Sequence, residues 1–276
     1  MDHAVSLGSQ ATTLRAGLEG IGLVGPGLDG WTLSAGLLTG ASPYVSRPTV
    51  LPAPELLPPA ERRRVGRVVK LALAAGLQAT VSARVDAAEL PAVFSSSGGD
   101  GQNCHEICLS LTQINPQISP TRFHNSVHNA AAGYWSIATG AREPSNALCA
   151  HDASFAAGLL EAMAQVVVER TAVLLVAYDA PYPPPLSLRR PIPDAFGVAF
   201  VLTPQGGAGS LAELAISLED ETADRMADTA LETLRASIPA ARCLPLLERL
   251  ARRQNGRVRL DYMDRRCVAI EVSACR

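Results

Sequence analysis

NAAAGYWSIATGAREPSNALCAHDASFAAGLLEAMAQVVVERTAVLLVAYD, residues 129–179, leads from a small-residue segment through Pro144-Ser145 into a helix and then a strand. Between Ala153 and Val168 nearly every residue is apolar or small. Phe155, Leu159, Leu160, Met163, Val166 and Val167 are spread around the whole circumference, which predicts a central helix covered on every side. Asp152 stands before it as the expected N-cap. The run Val173–Ala177 that follows is the continuous apolar sequence of a short strand buried on both faces.

The spacing of Asn129, Ala132, Gly133, Ser136, Gly140, Arg142, Pro144 and Ser145 resembles that of the β-ketoacyl synthases of the thiolase superfamily. In those enzymes an Asn-x-x-Ala-Gly-x-x-Ser/Thr segment precedes Gly-x-Arg-Gly-Pro-Ser, and the catalytic cysteine opens a buried helix seven residues after that serine. Seven residues after Ser145 stands Asp152. Ala162 and the strand end Ala177-Tyr178-Asp179-Ala180 keep the family frame without a gap, so Cys149 lies three residues out of place, in the preceding strand. The resemblance implies an α/β, thiolase-like fold. About one half of a ketosynthase is expected, a mixed sheet with a buried central helix, plus a divergent C-terminal helix and strand segment. It covers most of residues 13–218, within one domain over 1–276 that residues 219–276 complete.

The rest of the chain is consistent with that expectation. Its 276 residues are 47% hydrophobic and 18% charged, with net charge −2, which offers no electrostatic reason for a nucleic acid or an anionic membrane as partner. Met1–Ser6 lacks the basic and apolar regions of a signal peptide, and no apolar run approaches the ~20 residues of a bilayer span, so a cytoplasmic location is expected. The six cysteines lack regular spacing and read as reduced thiols. Thr13–Glu19 reads as a first strand ending in a glycine-rich turn, Gly20-Ile-Gly-Leu-Val-Gly25, with a Trp-containing helix from Trp31 to Leu38. The turn spells GxGxxG, but Pro26-Gly27 follows where a dinucleotide site needs a helix N-terminus, and no acidic residue stands at the ribose position.

Residues 43–59 form a proline-rich ordered loop, and Glu61-Arg-Arg-Arg64 opens a helix with one basic and one apolar face running to Ala75. That arginine run either docks the acidic surface of an acyl carrier protein or is a solvated helix start. Cys104, His105 and Cys108, and His124 with His128, each offer ligands one helical turn apart, yet neither set has the spacing of a known zinc module, and no metal or cofactor is expected. The resemblance places Arg122 and Phe123 in a segment that, in ketosynthases, crosses the dimer interface and lends side chains to the partner's acyl tunnel. Beyond Asp179 strands are expected at Phe196–Leu202 and Ala212–Leu218. Residues 221–253 read as largely helical with breaks near Pro239 and Pro245, and strands follow at Val258–Tyr262 and Val268–Val272.

A ketosynthase needs a thiolate to accept the acyl chain and two imidazoles to drive decarboxylation. Asp152 replaces the first, and no histidine occurs after His151. The resemblance therefore implies a non-catalytic subunit, similar to the short chain length factors of bacterial aryl polyene clusters. Its partners would be a full-length ketosynthase, in a heterodimer, and an acyl carrier protein; alone, a homodimer is also compatible. Two other classes stay open: an independent acyl-transfer or thioesterase enzyme using Cys149 or Ser154 with His151 nearby, and a stand-alone carrier-binding module.

Overall fold

The computed structural model describes residues 13–204, 206, 207 and 209–275; Met1–Ser6 lies outside them. Leu14–Gly25 (β1) is a single strand running straight through the GxGxxG segment, where a turn had been expected. The glycines are there for packing. A Cβ at Gly22 or Gly20 would strike the carbonyl oxygens of Ala75 and Ala79 on the helix Arg67–Ala83, so their absence lets that helix lie directly on the strand. A short strand Leu28–Asp29 (β2) folds back on β1, and Trp31–Leu38 (α1) follows as expected.

The proline-rich loop is fixed to the body. Tyr44 Oη donates to Pro26 O at 2.7 Å, and Thr49 bonds through its amide and hydroxyl to Asp194 and Ala195 O. The arginine run does not begin the apolar helix. Pro59–Arg62 (α2) stops after one turn, and Arg67–Ala83 (α3) starts anew after Gly66. At Gly66 a side chain would collide with the Asp100 carboxylate, so this junction is extended and the two helices are separate.

Ala92–Ser95 (β3), Gly101–Leu111 (α4, capped by Asp100), Pro120–His124 (α5, capped by Ser119) and Ala130–Thr139 (α6) lead to Ser145–Leu148 (β4). Ser154–Glu169 (α7) and Val173–Asp179 (β5) form the predicted helix and strand; every residue of β5 is buried. Leu186–Arg189 (α8), Phe196–Thr203 (β6) and Ala212–Glu219 (β7) follow. Residues 221–228 are not helical, and helix is confined to Thr229–Ser237 (α9), a 3₁₀ turn Pro239–Cys243, and Leu244–Ala251 (α10). Pro245 does not break α10: it sits in the first turn, where its missing N–H has no intrahelical partner to lose. Gly256–Met263 (β8) and Arg266–Ala274 (β9) close the chain.

The strands join one sheet in the order β4-β3-β5-β6-β1-β7-β9-β8. β4, β3 and β5 are parallel, and the remaining pairs are antiparallel, so residues after 219 extend the sheet that the first half begins. On one face α3 and α6 bury Phe94 and Trp135. On the other, α7 packs with α9, the 3₁₀ turn and α10, and Phe155 meets Phe200 edge-on at 5.7 Å. α7 is not covered all round as expected. Val167 and Val168 are 41% and 72% exposed, because no element among the described residues reaches that side. No helix among the described residues is long and apolar enough to cross a membrane.

Candidate functional site

The head of α7 is built from residues remote in sequence. His151–Ala153 forms a 3₁₀ turn before the helix, with His151 at the left-handed φ of 52°. Asp152 is not the N-cap, since α7 has no side-chain cap and the Asp152 carboxylate turns away to two guanidinium groups. Arg190 Nη2 donates to Oδ1 at 2.8 Å and Arg242 Nη2 to Oδ2 at 2.9 Å, with both arginine side chains 21% exposed. Arg242 also reaches Asp261 at 3.3 Å; Arg235 bridges Asp261 and Glu232. These bonds hold the Glu232 carboxyl down at about 2, chiefly through the Arg235 hydrogen bonds. The chain of charges lies along a cleft of about 1010 Å³ that also exposes His151 and Arg225.

Nucleophilic chemistry finds little purchase here. Ser154 is 1% exposed, and its hydroxyl donates to His151 O at 2.7 Å while accepting from Ala150 N, so it is a backbone fastening. The His151 ring nitrogens face Arg190 (2.6 Å) and Asp152 (3.6 Å), leaving no base directed at Ser154. Cys149 lies just past β4, exposed, and its thiol donates to Ser97 O at 3.3 Å. Asp179, wholly buried at the end of β5, accepts from Ser97 and Ala240, and burial pushes its carboxyl up to about 6. Sequence reading missed Asp179, Arg190, Arg235, Arg242 and Asp261. They come from a strand end, the end of α8, α9, the 3₁₀ turn and β8, and meet only when these pack over the head of α7, so no local motif announces them.

The other expected site residues lie elsewhere. Arg122 and Phe123 are on α5; Arg122 approaches Glu106 at 3.7 Å, and the Phe123 ring is 67% exposed with nothing packed over it. Arg63, Arg64, Arg67 and Arg122 line a second cleft of about 590 Å³, floored by residues 99–103 at the start of α4. Cys104 and Cys108 share α4 as predicted, but His124 ends α5 and His128 stands beyond it, its Nε2 3.2 Å from Ser96 O. The histidines are therefore not on one helix. Among the described residues no three His, Cys, Asp or Glu side chains are grouped to hold a metal ion.

Many solved structures are similar in fold, three of them as follows. One is a chain of the complex of the ketosynthase ApeO with its chain length factor ApeC from Xenorhabdus doucetiae (TM-score 0.71, 22% identity, 94% of this chain and 99% of that one). Another is a chain of AntDE:AntF, a type II PKS acyl-carrier protein in complex with its ketosynthase bound to the hexaketide (TM-score 0.73, 11% identity, 96% and 100%). The third is a β-ketoacyl synthase from Burkholderia phymatum STM815 (TM-score 0.60, 13% identity, 82% and 70%). These matches show a thiolase-like ketosynthase fold. A search of curated protein sequences gave no match. The family model for the β-ketoacyl synthase N-terminal domain matches residues 40–261, so the likeness runs past residue 218 and through β8. The chain belongs to the β-ketoacyl synthase family, matching the model of its N-terminal domain over most of its length.

Proposed function

We propose that this chain is a non-catalytic ketosynthase-like subunit of the chain length factor type. It pairs with a full-length ketosynthase and bounds its acyl tunnel in aryl polyene or related type II fatty-acid-like synthesis. The observation that carries the reading is Asp152. At the family's nucleophile position stands a carboxylate whose two oxygens are both committed to arginines. A carboxylate so held is a poor acyl acceptor from a thioester, because the mixed anhydride formed is less stable than the thioester consumed.

Pairing is supported by the two edges of the sheet. At β8 the Arg259 amide and carbonyl are occupied by Asp224, and the strand is dressed with ion pairs from Arg257 and Arg259. At β4 the edge is bare among the described residues: Ser145, Asn146 and Ala147 are exposed and uncharged, and the strand pairs there only with β3. An uncovered, uncharged edge is a template for a strand of another chain. Phe123, projecting from α5, supplies an aromatic side chain suited to a partner's apolar tunnel. The cleft beside Arg63, Arg64 and Arg122 offers an acidic carrier protein a complementary surface.

Co-expression with the cognate ketosynthase tests the reading, and one co-eluting species at micromolar concentration is expected. Two separately eluting proteins overturn it. In the assembled pair, Phe123→Ala or Arg122→Ala is expected to let longer chains accumulate. Unchanged product length for both variants removes their assignment to the tunnel.

A further inference from the structure

Asp179 is a buried carboxylate that binds three parts of the chain at once. Its Oδ1 accepts from the Ser97 amide (2.9 Å), the Ser97 hydroxyl (2.6 Å) and, more distantly, the Ser96 hydroxyl (3.4 Å); among the described residues its Oδ2 accepts from the Ala240 amide alone (2.9 Å). The first set fixes the loop after β3. The last fixes the 3₁₀ turn Pro239–Cys243, which two residues further on presents Arg242 to Asp152. The same loop also holds the other flank of the α7 head, since Ser97 O accepts the Cys149 thiol. One carboxylate thus supports both sides of the segment Cys149–Asp152.

The two oxygens are not equivalent toward a proton. Oδ1 is crowded by three donors, whereas Oδ2 faces one. Protonation therefore falls on Oδ2, which becomes a hydroxyl: it turns donor on one side, and the lone pair left for the Ala240 amide is a weaker acceptor than the carboxylate was. We propose that Asp179 is a protonation-dependent latch between the C-terminal segment and the head of α7. Ionised, it seats the turn that carries Arg242 against Asp152; neutral, it loosens its hold on Ala240 and slackens that ion pair.

The surroundings fit such a role. Desolvation raises the carboxyl to about 6 against the pull of its Ser97 and Ala240 donors and of Arg190, the one cation acting on it. Tyr178 beside it on β5 is held neutral by its own burial, with Asp179 adding to the shift. Other titratable or charged groups on the elements around it are Cys149 and His128, which touch the carbonyls of Ser97 and Ser96, His151 on Arg190, Arg242 and the buried Cys243 on the 3₁₀ turn, and Asp100, which acts with Asp179 on Tyr178. The test must separate Asp179 from these neighbours.

The experiment is amide hydrogen exchange of residues 238–243 in the whole chain at pH 7.5 and 5.0, corrected for intrinsic rates, with wild type, Asp179→Asn and Ser97→Ala. Protection of Ala240 is expected to fall at least about tenfold at the lower pH in wild type and to be pH-independent in Asp179→Asn. Ser97→Ala removes one donor to the ionised form, the hydroxyl, so its transition is expected at higher pH; this variant serves if Asp179→Asn does not fold. In parallel, the shift in urea midpoint caused by Asp152→Ala is expected to shrink at pH 5.0. Equal protection at both pH values, a transition that survives in Asp179→Asn or stays put in Ser97→Ala, or an Asp152→Ala shift unchanged by pH would each overturn the latch.

Discussion

Replacing Asp152 by alanine discriminates between a helix cap and a cross-chain anchor. A cap alone contributes roughly 1 kcal/mol, and its loss is indifferent to any arginine. The observed carboxylate instead accepts one short bond from Arg190 and one from Arg242, while being 39% exposed. Fully buried bonds of this charged kind contribute about 1.5–3 kcal/mol each, and exposed ion pairs about 0.2–1. At this exposure about 1 kcal/mol apiece is the reasonable value, giving a loss of about 2 kcal/mol. The loss stays moderate because each arginine keeps another contact, Arg190 with His151 and Arg242 with Asp261. Urea unfolding of the wild type, Asp152→Ala, Arg242→Ala and the double variant should give a coupling energy of about 1 kcal/mol, with a similar value for Arg190. It should shrink in high salt. Coupling below about 0.3 kcal/mol to both arginines would return Asp152 to a local role and refute the anchor.

Asp152→Cys, which puts a cysteine where the sequence resemblance expects the family's nucleophile, is not expected to give condensation: it removes both ion pairs and brings no imidazole, as His151 is the last histidine, and malonyl extension by that variant alone would contradict this. Gly22→Ala is expected to lose about 2–3 kcal/mol, because its methyl meets the Ala75 carbonyl on α3, and near-wild-type stability would show that α3 can move. Glu232, with its folded carboxyl at about 2 against 4.5 unfolded, contributes stability that is present above pH 4.5 and lost as pH falls toward 2; denaturation curves between pH 5 and 2 should lose that component in Glu232→Gln. Ala147→Lys places a charge on the bare β4 edge, and it is expected to weaken association with the ketosynthase at least about tenfold while leaving the free chain's stability within about 0.5 kcal/mol. Unaltered association would move the interface elsewhere.

The central helix, the strand after it and the strands of the second half are legible because their apolar runs have the lengths and bounds of buried elements. The glycines of β1 misled because GxGxxG describes backbone access, and access serves a packed helix as well as a phosphate. Whether α2 and α3 are one helix turns on the approach of Asp100 to Gly66, a contact between residues 34 apart. Asp152 looks like a cap in sequence because aspartate before a helix commonly is one; its partners Arg190 and Arg242 become visible only when α8 and the 3₁₀ turn are folded over α7. Asp179 left no trace, being one acidic residue at the end of an apolar strand.

The contrast between the two sheet edges bears on the life of the molecule before it has a partner. Among the described residues one border is sealed and one open, and the open one offers its unpaired backbone to any extended segment nearby. Copies made in excess have only one another, or unfolded neighbours, to satisfy β4. If the proposed partner covers that border, the usable amount of this chain is expected to follow the partner's supply, with surplus exposed to self-association and proteolysis.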